Sequence, residues 1–252
     1  YVKTHKPWLF DKAWYSSKGI DIIDWSVPNK GALITIGVFY TMEEPWKRSE
    51  HKYDWRQQPL GKIASDRLGT EYIEQRPQLA REFLIKSPAK KRSIVIATQS
   101  TAQAKYWNNP TGWQETIDWC NSKDISVYHA SKEGSQLKGV KQLPEELALV
   151  AGAINEAELF IGISSGLSWF AWALGAKVII ISGFTDPYVE FESAIYINNH
   201  KVCHGCWGWD TFDKGDWNWC PLWKGTHRQF ECTKTIGSDK VISIINKELY
   251  GE

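Results

Sequence analysis

The 252-residue sequence has no apolar run approaching the roughly 20 residues that a bilayer-spanning helix needs. It has no large excess of either charge. A net charge of +1 gives no electrostatic case for nucleic acid or a membrane surface as partner. No signal-peptide pattern is present, so a cytoplasmic protein is expected. Neither GxGxxG nor GxxxxGK(S/T) occurs, which disfavours a dinucleotide dehydrogenase and a P-loop NTPase. There is no internal repeat and no low-complexity tract. The first residue is Tyr rather than Met, as expected of a processed product or a fragment. Methionine occurs once, against 15 tryptophans.

What is present is an alternation of strand-like and helix-like segments. Glu158 to Pro187 is its clearest part. Leu159 to Ile163 is a buried-strand run, Ser164-Ser165-Gly166 a tight turn, Leu167 to Leu174 an apolar helix, and Val178 to Ile181 a second strand. Two apolar strands joined by such a helix imply a right-handed βαβ unit. The turn then lies at a strand's carboxyl end and a helix N-terminus, where free N–H groups and the dipole favour phosphate. Small residues that merely permit a tight turn are the plainer alternative.

Before this unit, Trp8 to Phe10 and Ile20 to Ile23 read as a last helix and strand. Leu33 to Tyr40 reads as a strand, Thr41 to Leu60 as a long aromatic loop, and Pro77 to Ile85 as a helix. Ser87 to Arg92, with proline and a charge run, is the boundary candidate. After it come strands at Ser93 to Thr98, Ile125 to His129 and Ala194 to Ile197. Helices are expected at Gly112 to Asn121, Glu145 to Glu156 and Ser238 to Leu249. This pattern means a doubly wound α/β domain.

Ligands in such a sheet bind outside the strand carboxyl ends, which singles out four loops. The first carries Lys105 with Ser100, Thr101, Gln103 and Trp107, suited to a pyrophosphate. The second carries Glu133, able to accept from ribose hydroxyls. The third is the Ser164 turn. The fourth, Gly183 to Pro187, offers Phe184 and backbone groups to a base. A surface lysine, a surface carboxylate and, at Asp186, a helix cap are the dull alternatives.

Cys203 and Cys206 form a CxxC, and Cys220 and Cys232 follow; Cys120 lies apart. Four cysteines opened by CxxC read as a closed, structural metal site, with zinc the default and iron also suited. Disulfides or reduced thiols are the alternative, and His204 or His227 could replace one ligand. Trp207, Trp209, Trp217, Trp219 and Trp223 surround the cysteines and could build a small core or a contact surface.

The segment from Ser93 onward resembles the heptosyltransferase family, glycosyltransferases of GT-B fold. The cysteine segment with GISSGLSW, and SDRLGTEYIEQRP at Ser65 to Pro77, is most similar to the bacterial autotransporter heptosyltransferases, which glycosylate protein serines and carry a four-cysteine iron finger. The resemblance covers roughly residues 30 to 250. It implies residues 1–88 as the remainder of an acceptor-side domain and linker. Residues 89–252 would be a Rossmann-like nucleotide-sugar-binding domain with its metal finger at 200–235. It further implies that Thr101 and Lys105 contact the donor diphosphate and Glu133 the nucleoside. Ser164, Ser165 and Gly166 would cradle phosphate. Gly183, Phe184, Thr185 and Asp186 would line the cleft, and Cys203, Cys206, Cys220 and Cys232 would hold structural iron, with zinc the alternative. The implied donor is of ADP-heptose type, the acceptor a protein hydroxyl, and assembly into homo-oligomers is compatible with it. Ser164 and Trp169 stand where lipopolysaccharide heptosyltransferases carry charged residues, which favours the protein-modifying branch. The family's catalytic aspartate has no counterpart here: Asp21, Asp24 and Asp54 are available, but none lies in a recognisable context. A non-catalytic, transferase-derived subunit is therefore the rival expectation.

Overall fold

The structure, a computed structural model, describes residues 2–28, 58–84, 92–134, 136–209 and 212–251. The expected strand at Leu33 to Tyr40, the loop up to residue 57 and most of the Ser87 to Arg92 boundary lie outside the described residues.

The described part is built on a six-stranded, wholly parallel sheet. Its strands are β3 (Ser93–Ile96), β4 (Ser126–His129), β5 (Lys141–Gln142), β6 (Leu159–Gly162), β7 (Val178–Ile181) and β8 (Ile195–Ile197). They pair in the order β5-β4-β3-β6-β7-β8. Alternation along each strand decides its two faces. Ile94, Ile96, Ile161, Ile179 and Ile181 point to one side, where α3 (Gly112–Ser122) and α7 (Ser238–Tyr250) cover them with Ile117, Val241 and Ile245. Val95, Phe160, Val178 and Ile180 point to the other. There α4 (Leu147–Glu156) and α5 (Gly166–Ala173) supply Val150, Ile154, Ala171 and Trp172. Burial on both faces is why these strands are continuous apolar runs.

The strand order reverses between β3 and β6. This is the point at which doubly wound sheets open a crevice at their carboxyl edge. The loops leaving these strands carry Thr101 and Ser164.

Towards the N-terminus, β1 (Val2–Thr4) and β2 (Ile22–Asp24) form a separate parallel pair, with α1 (Lys12–Ser17) between them. α2 (Leu60–Leu68) ends on Gly69, whose φ of +66° is the left-handed conformation of a helix stop. The helix expected at Pro77 to Ile85 is not formed over its described residues. Leu79 instead bridges Phe10 antiparallel, Asp11 N–H donates to Gln78 O and Ala80 N–H to Leu9 O. Only Arg81–Phe83 turn, as one 3₁₀ step. Phe83 explains the outcome: it is buried against Phe170 and Ala151, which an extended approach allows.

Residues 200–235 contain two short helical pieces, Cys206–Gly208 and α6 (Glu231–Lys234). Otherwise they form turns around Phe212, Trp219 and Phe230. These pack on Phe184, Ala102 and Ala104 of the sheet's carboxyl-end loops. Among the described residues no helix is long and apolar enough to cross a membrane.

Candidate functional site

A cleft of about 520 Å³ opens at the strand-order reversal. Five expected donor residues line it: Thr101, Lys105, Ser164, Phe184 and Thr185. Leu60 closes one side, and Trp207, Phe212 and Lys214 reach in from the cysteine segment.

Lys105 is largely withdrawn from water, its ammonium 5.5 Å from the Phe184 ring and 5.7 Å from Phe212. Burial pulls its pKa below the usual lysine value, while the charge of Glu190 pushes it back up. Glu190 is a site residue that sequence reasoning missed, and it is 3% exposed. Its Oε1 accepts from Ser164 Oγ at 2.5 Å and from Thr185 Oγ1 at 3.0 Å. Burial raises its pKa; the Ser164 and Thr185 hydroxyls and the Lys105 charge oppose that. Tyr196, also missed, lies 2.9 Å from Thr185 Oγ1 and donates to Thr185 O. The cleft floor is thus a polar network around Glu190 Oε1, with Glu190 Oε2 buried without a hydrogen-bond partner among the described residues, beneath the half-buried Lys105. A glutamate two residues beyond a Pro-Tyr pair carries no local motif, so no sequence signal distinguished it from a surface acid.

At the N-terminus of α5, the first N–H groups have no intrahelical acceptor. Ser165 Oγ is buried there without a hydrogen-bond partner. A Cβ on Gly166 would meet nothing within 4 Å, so the helix end faces open space.

The remaining expected donor residues do not line this cleft. Glu133 is exposed on the β4 loop, which is tied to the rim through Ser131, Gln99 and Gly134. Gln103 donates to Asn108, and its backbone N–H to Trp217 O. Gly183 is packed under Cys232: a Cβ there would lie 2.7 Å from the sulfur. Asp186 is turned towards His200 and His204. Asp21 accepts from Ser16, and Asp24 from Ser26; Asp54 lies outside the described residues.

All four expected metal-binding cysteines, with Gly183, His204 and Trp223, line one small pocket. None is in a disulfide. Burial raises the pKa of Cys203, Cys206 and Cys232, the last to about 12, and the neighbouring thiol charges raise them further. Cysteines gathered in one pocket, three of them with thiols that burial and neighbouring thiols keep from ionising, fit a shared cation, which would stabilise their thiolates together. Trp223 Nε1–H is buried in the same pocket and is turned to Cys203, where it favours the thiolate. The residues fit a thiolate-bound metal. The grouping whose ligand atoms all fall within 4.8 Å of one another, however, is Asp186, His200 and His204.

No protein-family model matches the chain. The autotransporter heptosyltransferase BAHTCr of Citrobacter rodentium is 38% identical over 210 residues, 77% of this chain and 50% of that protein. The crystal structure of TibC, a dodecameric iron-containing heptosyltransferase in complex with ADP-D-beta-D-heptose, superposes with a TM-score of 0.81 at 33% identity. It covers 94% of this chain and 65% of that one. The inactive autotransporter heptosyltransferase BimC of Burkholderia thailandensis is 32% identical over 59% of this chain and 38% of that protein. The parallel sheet, its reversed strand order and these likenesses define a Rossmann-like domain of GT-B type. The chain belongs to the heptosyltransferase family, with the autotransporter heptosyltransferases as its relatives. It spans about half the length of the curated relatives it matches.

Proposed function

We propose that this chain is the donor-binding part of a glycosyltransferase that moves a heptose from an ADP-linked donor to protein hydroxyls. The observation that carries the reading is the half-buried Lys105, which faces a cleft at the strand-order reversal together with Thr101 and Ser164. Lys105 and the α5 N-terminus would hold the diphosphate and stabilise it as it leaves. Ser164 has its proton committed to Glu190, so Ser165 Oγ and the first α5 N–H groups are the donors left for phosphate. Phe184 would pack against the donor, and Glu133 on the rim would reach the nucleoside. An acceptor hydroxyl would displace the diphosphate at the anomeric carbon, its proton taken by a carboxylate.

Cys203, Cys206, Cys220 and Cys232 would hold a structural iron, with zinc the alternative, and so fold a segment poor in regular structure. Free thiols fit a reducing compartment, which supports a cytoplasmic location. TibC's dodecameric state and the exposed Trp209 and Trp217 support a homo-oligomer. Calorimetric titration with ADP, UDP, GDP and an ADP-sugar tests the reading: a clear ADP preference is expected, and no binding to any of them would overturn it. The second reading, a non-catalytic binding subunit, is favoured by the lack of an assignable base near the cleft among the described residues. It predicts ADP-sugar binding without turnover.

A further inference from the structure

Asp186, His200 and His204 come from two parts of the chain. Asp186 ends the loop after β7, His200 follows β8, and His204 lies inside the CxxC turn. One ligand atom from each lies within 4.8 Å of the other two. His200 Nδ1 and His204 Nε2 are 2.9 Å apart. Two nitrogens about 2.0–2.1 Å from a tetrahedral ion lie roughly 3.3–3.4 Å apart, so a small outward turn of the two rings admits the ion between them. The far side of each ring is held. His204 Nδ1 lies 2.7 Å from the Val202 carbonyl, which fixes the proton there and leaves Nε2 bare. His200 Nε2 lies 2.7 Å from the Asn198 amide, which by turning over can accept a proton from that nitrogen and leave Nδ1 bare. The Asp186 carboxylate makes no hydrogen bond or ion pair among the described residues.

The backbone is arranged to let these groups meet. Gly205 N–H donates to Gly183 O at 2.8 Å and Trp207 N–H to Phe184 O at 3.0 Å, which fastens the CxxC turn to the Asp186 loop. Gly205 has φ +68°, and a Cβ there would stand 2.9 Å from Asp186 Cγ. Only glycine lets the carboxylate pass over the turn.

We infer that Asp186, His200 and His204 form a second metal site, separate from the four cysteines, for a first-row divalent cation such as Zn²⁺. The donor set is two imidazoles and one carboxylate, and it leaves positions open to water. The ion takes the place of the proton that joins the two imidazoles in its absence. It clamps the loop that carries Phe184 and Thr185 to the cysteine segment. The inference does not depend on the transferase reading.

The test is zinc uptake by the full chain, by equilibrium dialysis with elemental analysis, in wild type, His200→Ala, Asp186→Asn and Cys206→Ser. His200 is exposed, so its replacement leaves the fold intact; circular dichroism without zinc checks this. Wild type is expected to bind one zinc equivalent more than His200→Ala, and Asp186→Asn to weaken that equivalent at least tenfold. The histidine ring protons should shift as that equivalent binds. Equal zinc uptake by wild type and His200→Ala would overturn the inference and leave a hydrogen-bonded histidine pair. An extra equivalent lost only in Cys206→Ser would overturn it as well.

Discussion

In the cleft Lys105 faces the buried Glu190. Burial lowers the Lys105 pKa, and the charge of Glu190 opposes that shift. Replacing Glu190 by Gln removes that support, so Lys105 becomes neutral at a lower pH than in wild type. Binding of a diphosphate that needs the ammonium should then fade at lower pH in Glu190→Gln. Affinity for ADP measured across pH checks this, and superimposable profiles for the two proteins would refute it. Lys105 was legible in the sequence because it follows a strand at a position where α/β sheets bind ligands. Glu190 was not, because its significance is its burial beside Ser164 and Thr185, which is set by how the β7 loop folds back. The same holds for Asp186. Its place in the chain suggested the cleft rim, but its carboxylate is turned to a histidine pair brought from beyond β8.

At the scale of elements, five of the six strands of the sheet and the helices between them were readable to within two residues. Continuous Ile and Val runs buried on both faces have no competing reading. The N-terminal segments were harder. Leu79 and Phe83 have helical spacing, yet pairing with Phe10 and burial against α4 and α5 outweigh a weak local preference. β5 has two exposed residues, Lys141 and Gln142, and no pattern to detect. The cysteine segment takes its form from its packing on the β7 loop, and Gly183 sets the closeness of that contact. Gly183→Ala puts a methyl group against Cys232 and should cost about 1–3 kcal/mol, the range for overpacking a fitted site. Urea unfolding measures it, and an unchanged midpoint would show that the segment yields freely. Cys206→Ser should remove the metal that the four thiols are proposed to share. Metal content by elemental analysis should fall by about one equivalent relative to wild type. Unchanged content would assign the metal elsewhere.

The molecule as a whole joins a parallel sheet, with its crevice at the strand-order reversal, to a cysteine-rich segment that supplies one wall of that crevice. Trp207, Phe212 and Lys214 line the cleft from the same segment whose thiols gather on its other side. The cysteine pocket and the cleft therefore share a boundary along residues 183–185. The sheet and its ligand edge could be derived from alternation alone. The contribution of the cysteine segment to the cleft could not, because it depends on where an irregular stretch of chain packs. The most direct test of the account is ADP affinity measured calorimetrically in wild type and Lys105→Ala side by side. Losing a charge-assisted hydrogen bond to phosphate should weaken binding by about 1.5–3 kcal/mol. Equal affinities would take Lys105 out of the site and the donor cleft with it.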